Sequence, residues 1–133
     1  MVIDTSALVA ILLGEPEAEA FAEIIEATAL CVISAVTRVE LSCVIEGHKG
    51  EEGRQAVDRL LVDAQVEMVS VTPRQALLAV NAFRRFGKGR HPAALNIGDC
   101  FSYALAMELD RPLLCKGQDF QQTDVPIVAL TAP

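Results

Sequence analysis

Four carboxylates follow or interrupt apolar segments of this chain, and each could do chemistry. Asp4 ends the run Met1-Val2-Ile3, and Asp119 follows Leu113-Leu114-Cys115 past a turn at Lys116-Gly117. Asp99 stands in the first turn of an apolar stretch, where Ser102, Tyr103 and Ala106 share its helical face. Glu40 has Val36, Cys43 and Val44 as its helical neighbours, with Val39 and Leu41 beside it. Taken singly, Asp4 serves equally as a helix cap, Asp99 as a complement to a helix dipole and Asp119 as a turn residue. Glu40 resists so plain a reading, because an uncompensated charge on an apolar stripe is costly. It calls for hydrogen-bond donors, a metal or a basic partner. Arg38 lies two positions away and points to another side of the helix, which leaves Arg111 or Lys116 as its basic partners.

The elements that must position these groups are legible as an alternation. Short apolar runs at about residues 1–4, 30–33, 67–71, 112–115 and 127–130 read as strands, and helical patterns separate them. Thr5 and Ser6 are cap types after the first strand, Pro16 opens a second helix, and Ser34 caps a third that ends near Glu46. Gly47 to Gly53 reads as a turn before a fourth helix to about Ala64; Thr72-Pro73 starts the next, and Gly98 to Leu109 is the last. The expected fold class is α/β, a parallel five-stranded sheet flanked by helices in one domain over 1–133. In such sheets ligands bind beyond the carboxyl ends of the strands, the positions of Asp4 and Asp119.

Composition narrows the class. Of 133 residues 52% are hydrophobic, which excludes disorder. No apolar run approaches the roughly 18–20 residues of a membrane span, and the start lacks the basic flank of a signal peptide. Cys31, Cys43, Cys100 and Cys115 form no C-x-x-C pair and sit in apolar runs, as small hydrophobes of a reducing compartment do. A cytoplasmic location is expected. With 18 acidic residues against 11 basic, the net charge is −7, which speaks against indiscriminate nucleic-acid binding.

Several segments together carry a family likeness. Val2-Ile3-Asp4-Thr5-Ser6-Ala7-Leu8 resembles the opening of PIN-domain ribonucleases, and Glu40 at the end of Ser34-Ala35-Val36-Thr37-Arg38-Val39-Glu40 resembles the acidic residue on their third helix. The stretch from Leu95 to Ala106 around Asp99 is similar to the third acidic motif of the VapC toxin branch. Leu113 to Phe120, followed by Thr123-Asp124, resembles its last motif. The resemblance implies a PIN-like fold in which Asp4, Glu40, Asp99 and Asp119 are catalytic and hold a metal, directly or through water. Thr5 or Ser6 would orient a ligand or a water around it; Asn96, three residues before Asp99, is a further candidate for that role or a helix-entry turn residue. An all-oxygen site selects hard ions, so Mg²⁺ or Mn²⁺ is the implied cofactor. The implied activity is metal-dependent hydrolysis of RNA phosphodiester bonds, in a structured RNA such as tRNA, by the toxin of a type II toxin–antitoxin pair. A VapB-type antitoxin would inhibit it by occupying the cleft, and DNA would be reached only through that antitoxin. The apolar second, third and fourth helices could supply the antitoxin groove and a homodimer contact.

RNA requires positive charge. Arg84, Arg85, Lys88 and Arg90, with His91, are the densest basic cluster, two glycines giving the loop at 87–92 freedom to wrap a substrate, and Lys116 adjoins the last acidic motif. With one Tyr, five Phe and no Trp there is little material for base stacking. Two other phosphate chemistries fit poorly. A haloacid-dehalogenase-like phosphatase has a second Asp where this chain has Ser6, and neither phosphate-binding glycine motif occurs. The rival of a different class is a non-catalytic PIN-fold binding module for antitoxin or RNA.

Overall fold

Neighbouring residues of a strand point to opposite faces of a sheet, and this chain fills both faces with aliphatic side chains. In the computed structural model, which describes residues 1–130, Val2, Val32 and Leu113 enter one core, and Ile3, Ile33 and Leu114 enter the other. Thr131–Pro133, the end of the expected 1–133 domain, lies outside the described residues.

The strands are β1 (Val2–Ile3), β2 (Val32–Ser34), β3 (Glu67–Val69) and β4 (Leu113–Leu114). All pairings are parallel, in the order β3-β2-β1-β4. The helices are α1 (Thr5–Leu13), α2 (Ala18–Ala27), α3 (Ala35–Asp63), α4 (Pro73–Phe86) and α5 (Ile97–Leu109). Leu8, Phe21, Leu41 and Ile45 from α1, α2 and α3 cover the Ile3 face, and Ala82, Phe86, Tyr103 and Leu105 from α4 and α5 cover the Val2 face. Each buried Leu, Ile or Phe among these contributes about 1.5–3 kcal/mol of burial free energy. No helix among the described residues is long and apolar enough to cross a membrane.

The α/β class is as expected, but the sheet has four strands rather than five. The segment at 127–130 joins β4 through one isolated bridge, Leu113 to Ile127, with hydrogen bonds at Leu113 N to Pro126 O and Val128 N to Leu113 O. β4 is two residues long and offers nothing further to pair with, and Pro126 has no N–H to extend the ladder.

The turn expected at Gly47–Gly53 contracts to one residue. Gly50 alone leaves helical geometry within α3 (φ 58°, ψ −141°), a conformation open to glycine. The loop after α4 is fixed rather than free. Gly87 and Leu95 form a bridge, Lys88 N donates to Leu95 O at 2.9 Å, and Ala93 N donates to His91 Nδ1 at 3.0 Å.

Candidate active site

Between β1 and α1 the chain has one residue, Asp4, and extended geometry there (φ −80°, ψ 155°) lets its side chain cap the helix it precedes. The carboxylate is only 2% exposed. Its Oδ2 accepts from Ser6 N at 3.0 Å and from Ser6 Oγ at 2.7 Å. Ser6 Oγ in turn accepts from Lys116 N at 2.9 Å, which ties the cap to the end of β4. The other oxygen, Oδ1, is buried without a partner, and so is Thr5 Oγ1. A buried anionic oxygen left unpaired is costly, so the fold holds an acceptor ready for a group that it does not itself supply.

Asn96 and Asp99 close a reciprocal cap at the start of α5: Asp99 N donates to Asn96 Oδ1 at 2.8 Å, and Asn96 N donates to Asp99 Oδ2 at 3.0 Å. Burial pushes the Asp99 carboxyl up to about 7; the charge of Asp4 adds to this, the Asn96 backbone opposes it, and Glu40 and Asp119 push it further. The same negative field reaches Cys115 at the end of β4. Its thiol is driven up to about 12 by burial, then by Asp4, Asp99 and Asp119. The charges of Asp4, Glu40 and Asp119 thus all reach Asp99.

Glu40 sits in the second turn of α3, with its carboxylate laid against the backbone of Gly98. A Cβ at Gly98 would lie 2.2 Å from Oε2 and 2.6 Å from Oε1. The glycine before Asp99 is therefore what lets a carboxylate of α3 approach α5. Neither basic partner proposed for Glu40 is used: among the described residues Glu40 enters no ion pair, Lys116 binds Glu15 and Glu17 at 3.0 and 2.9 Å, and Arg38 pairs with Asp58.

The donor set suits a hard cation, with oxygen atoms only and one of them orphaned in a buried position. Among the described residues no three Asp, Glu, His or Cys side chains are drawn together into one ligand sphere. That openness is compatible with Mg²⁺, which keeps several waters and takes one or two carboxylates directly.

The basic residues divide. Arg85 pairs with Asp124 at 3.2 Å and Lys116 with the two glutamates, so both are engaged by carboxylates. Arg90 lies over the Phe83 ring at 5.7 Å, and Arg84 and Lys88 enter no ion pair among the described residues. Sequence reasoning passed over Gly98 and the pairing of Asp124 with Arg85 and Tyr103; a glycine directly preceding a helical acid was the available signal for the first.

The PIN-domain family profile matches residues 1–126. Ribonuclease VapC30 of Mycobacterium tuberculosis is 51% identical over 130 residues, spanning 98% of this chain and 99% of that one. Among solved structures, Mycobacterium tuberculosis VapC20, described as a sarcin–ricin loop cleaving toxin, aligns with a TM-score of 0.78 at 15% identity over 96% of this chain and 97% of that one. VapBC2 of Rickettsia felis, bound to a DNA fragment from its promoter, aligns with a TM-score of 0.75 at 14% identity over 95% and 94%. At those identities the structures speak for the fold, and the sequence matches speak for descent. The chain belongs to the PIN-domain family, within its VapC ribonuclease branch.

Proposed function

We propose that this chain is a divalent-metal-dependent endoribonuclease, the toxin of a VapBC-type pair, and that Asp4, Glu40, Asp99 and Asp119 form its catalytic metal centre. The observation that carries the reading is the buried Asp4 carboxylate, one oxygen fixed by Ser6 and the other left without a partner beside Asp99. Asp4 and Asp99 would hold Mg²⁺ or Mn²⁺ most directly, with Glu40 and Asp119 reaching it through water. When bound, such a cation supplies neutralisation of the scissile phosphate and makes water more acidic near neutral pH. Ser6 holds Asp4 in one orientation, Asn96 does the same for Asp99, and Thr5 Oγ1 offers a further oxygen to the site or to its water. Without metal, burial and the neighbouring acids push the Asp99 carboxyl up to about 7, and a bound cation would favour its ionised form.

RNA would be met by Arg84, Lys88 and Arg90 on the α4 end and its fixed loop. Arg85 and Lys116 are engaged by carboxylates before any substrate arrives. The neighbours named VapC and VapBC support a cognate VapB-type antitoxin. Its terminal segment would fill the site, DNA would be contacted only through it, and the toxin would act as a homodimer in the cytoplasm.

Purified chain incubated with total tRNA tests the reading. Cleavage is expected with Mn²⁺ or Mg²⁺, abolished by EDTA, and reduced more than about 100-fold by Asp4→Asn. Joint Arg84→Glu and Arg90→Glu should weaken RNA binding and flatten its salt dependence. Cleavage that survives EDTA, or is unaltered in Asp4→Asn, overturns the metal centre. Tight antitoxin binding with no RNA cleaved favours the non-catalytic binding module instead.

A further inference from the structure

Outside the four carboxylates, one polar cluster joins three segments that the sequence keeps apart. Tyr103 Oη donates to Asp124 Oδ1 at 2.6 Å, Arg85 Nη2 donates to Asp124 Oδ2 at 3.2 Å, and Arg85 Nη1 donates to the Tyr103 hydroxyl at 3.5 Å. The Arg85 guanidinium also lies 4.6 Å from the centre of the Phe86 ring, which tilts against the Tyr103 ring at 6.0 Å. Both acceptor oxygens of Asp124 are therefore engaged, by a buried phenol on one side and a half-exposed guanidinium on the other.

The placement of these groups is what matters. Tyr103 stands one turn after Asp99 on α5, and Asp124 stands five residues after Asp119. A short hydrogen bond to an ionised acceptor, among the stronger kinds, thus links the helix bearing Asp99 to the segment bearing Asp119. Those two acids repel one another, and Asp119 makes no capping hydrogen bond of its own. Phe120 and Val125 anchor the segment in the core, but apolar contacts set depth more firmly than direction. We propose that Arg85, Tyr103 and Asp124 are positioning residues that hold the Asp119 segment against Asp99, so that both carboxylates face the same cation.

The protonation states fit this role. Burial drives the Tyr103 hydroxyl up to about 12, with Asp124 adding to the rise, so it remains a donor at any working pH. Burial alone would raise the Asp124 carboxyl, yet the Tyr103 hydrogen bond and the Arg85 charge hold it below its ordinary value. Arg85 therefore acts on the protein's own acid, which removes it from the residues free to meet RNA.

The inference rests on the reading that Asp99 and Asp119 serve one metal, and Mn²⁺ titration of the full chain without RNA separates the two. Wild-type chain should bind Mn²⁺. Tyr103→Phe, which keeps the ring, and Asp124→Asn should each weaken that binding about 10- to 100-fold. Arg85→Gln should weaken it too, Arg85→Lys should recover part of the loss, and affinity for tRNA in EDTA should stay within twofold of wild type in all of them. Arg85 lies at the exposed end of the cluster, so its variants give a result even if Tyr103→Phe misfolds. Wild-type binding matched by Tyr103→Phe and Asp124→Asn overturns this inference alone. A defect of Arg85→Gln confined to RNA affinity also overturns it, making Arg85 a substrate contact. No Mn²⁺ binding by wild type overturns the metal reading and this inference with it.

Discussion

Asp99 is an acid held well above its ordinary range. Its carboxyl titrates near 7 because burial and the charge of Asp4 act first, with Glu40 and Asp119 behind them. Between the ordinary carboxylate range and 7 the folded chain keeps a proton that the unfolded chain has released. Without metal, the associated stability is thus present at acid pH and lost as pH rises through 7. Thermal melts in EDTA should show Asp99→Asn gaining on wild type between pH 5 and pH 8, by a few degrees. Added Mn²⁺ should reverse the order at pH 8, since only the wild type gains by binding. A difference that ignores pH would contradict the assignment. In the sequence Asp4 ends a strand and Glu40 interrupts an apolar stripe, and the family resemblance is what picks out the four acids as a set. What decides their chemistry was not legible there. The unequal fate of the two Asp4 oxygens depends on Ser6, which is held by a backbone N–H 110 residues away.

At the scale of elements, Glu40 of α3 comes close to α5 because Gly98 carries no side chain. Gly98→Ala would press a Cβ into the Glu40 carboxylate, the movable end of a long side chain. Alanine favours a helix over glycine by about 1 kcal/mol, which offsets the cost of moving Glu40. The melting temperature should therefore stay within a few degrees while RNA cleavage falls about 10-fold or more. Full activity in Gly98→Ala would mean that Glu40 has no part in the reaction. Elements set by local signals were readable: Thr72 caps α4 with Pro73 behind it, and Phe86 ends it, as the sequence implies. Elements set by distant pairing were not. The expected strand at 127–130 fails because β4 is too short to support it, and the glycine loop at 87–92 is fixed by Leu95, which sequence proximity alone does not single out.

For the molecule as a whole, the net charge of −7 hides a division of labour. Acids crowd the cleft and the α2 segment, where Glu15 and Glu17 hold Lys116, and bases gather at the end of α4. The composition argued against RNA only as an average. An acidic site of the kind proposed to take a cation, in a chain that also carries a cationic helix end, is an arrangement suited to a polyanion once metal is present. Diffraction from crystals of the full chain grown with Mn²⁺, recorded at the manganese absorption edge, tests this most directly. The account predicts an anomalous peak bounded by Asp4 Oδ1 and the Asp99 carboxylate, lost in Asp4→Asn. A peak elsewhere, or none, in protein that still cleaves RNA would contradict it.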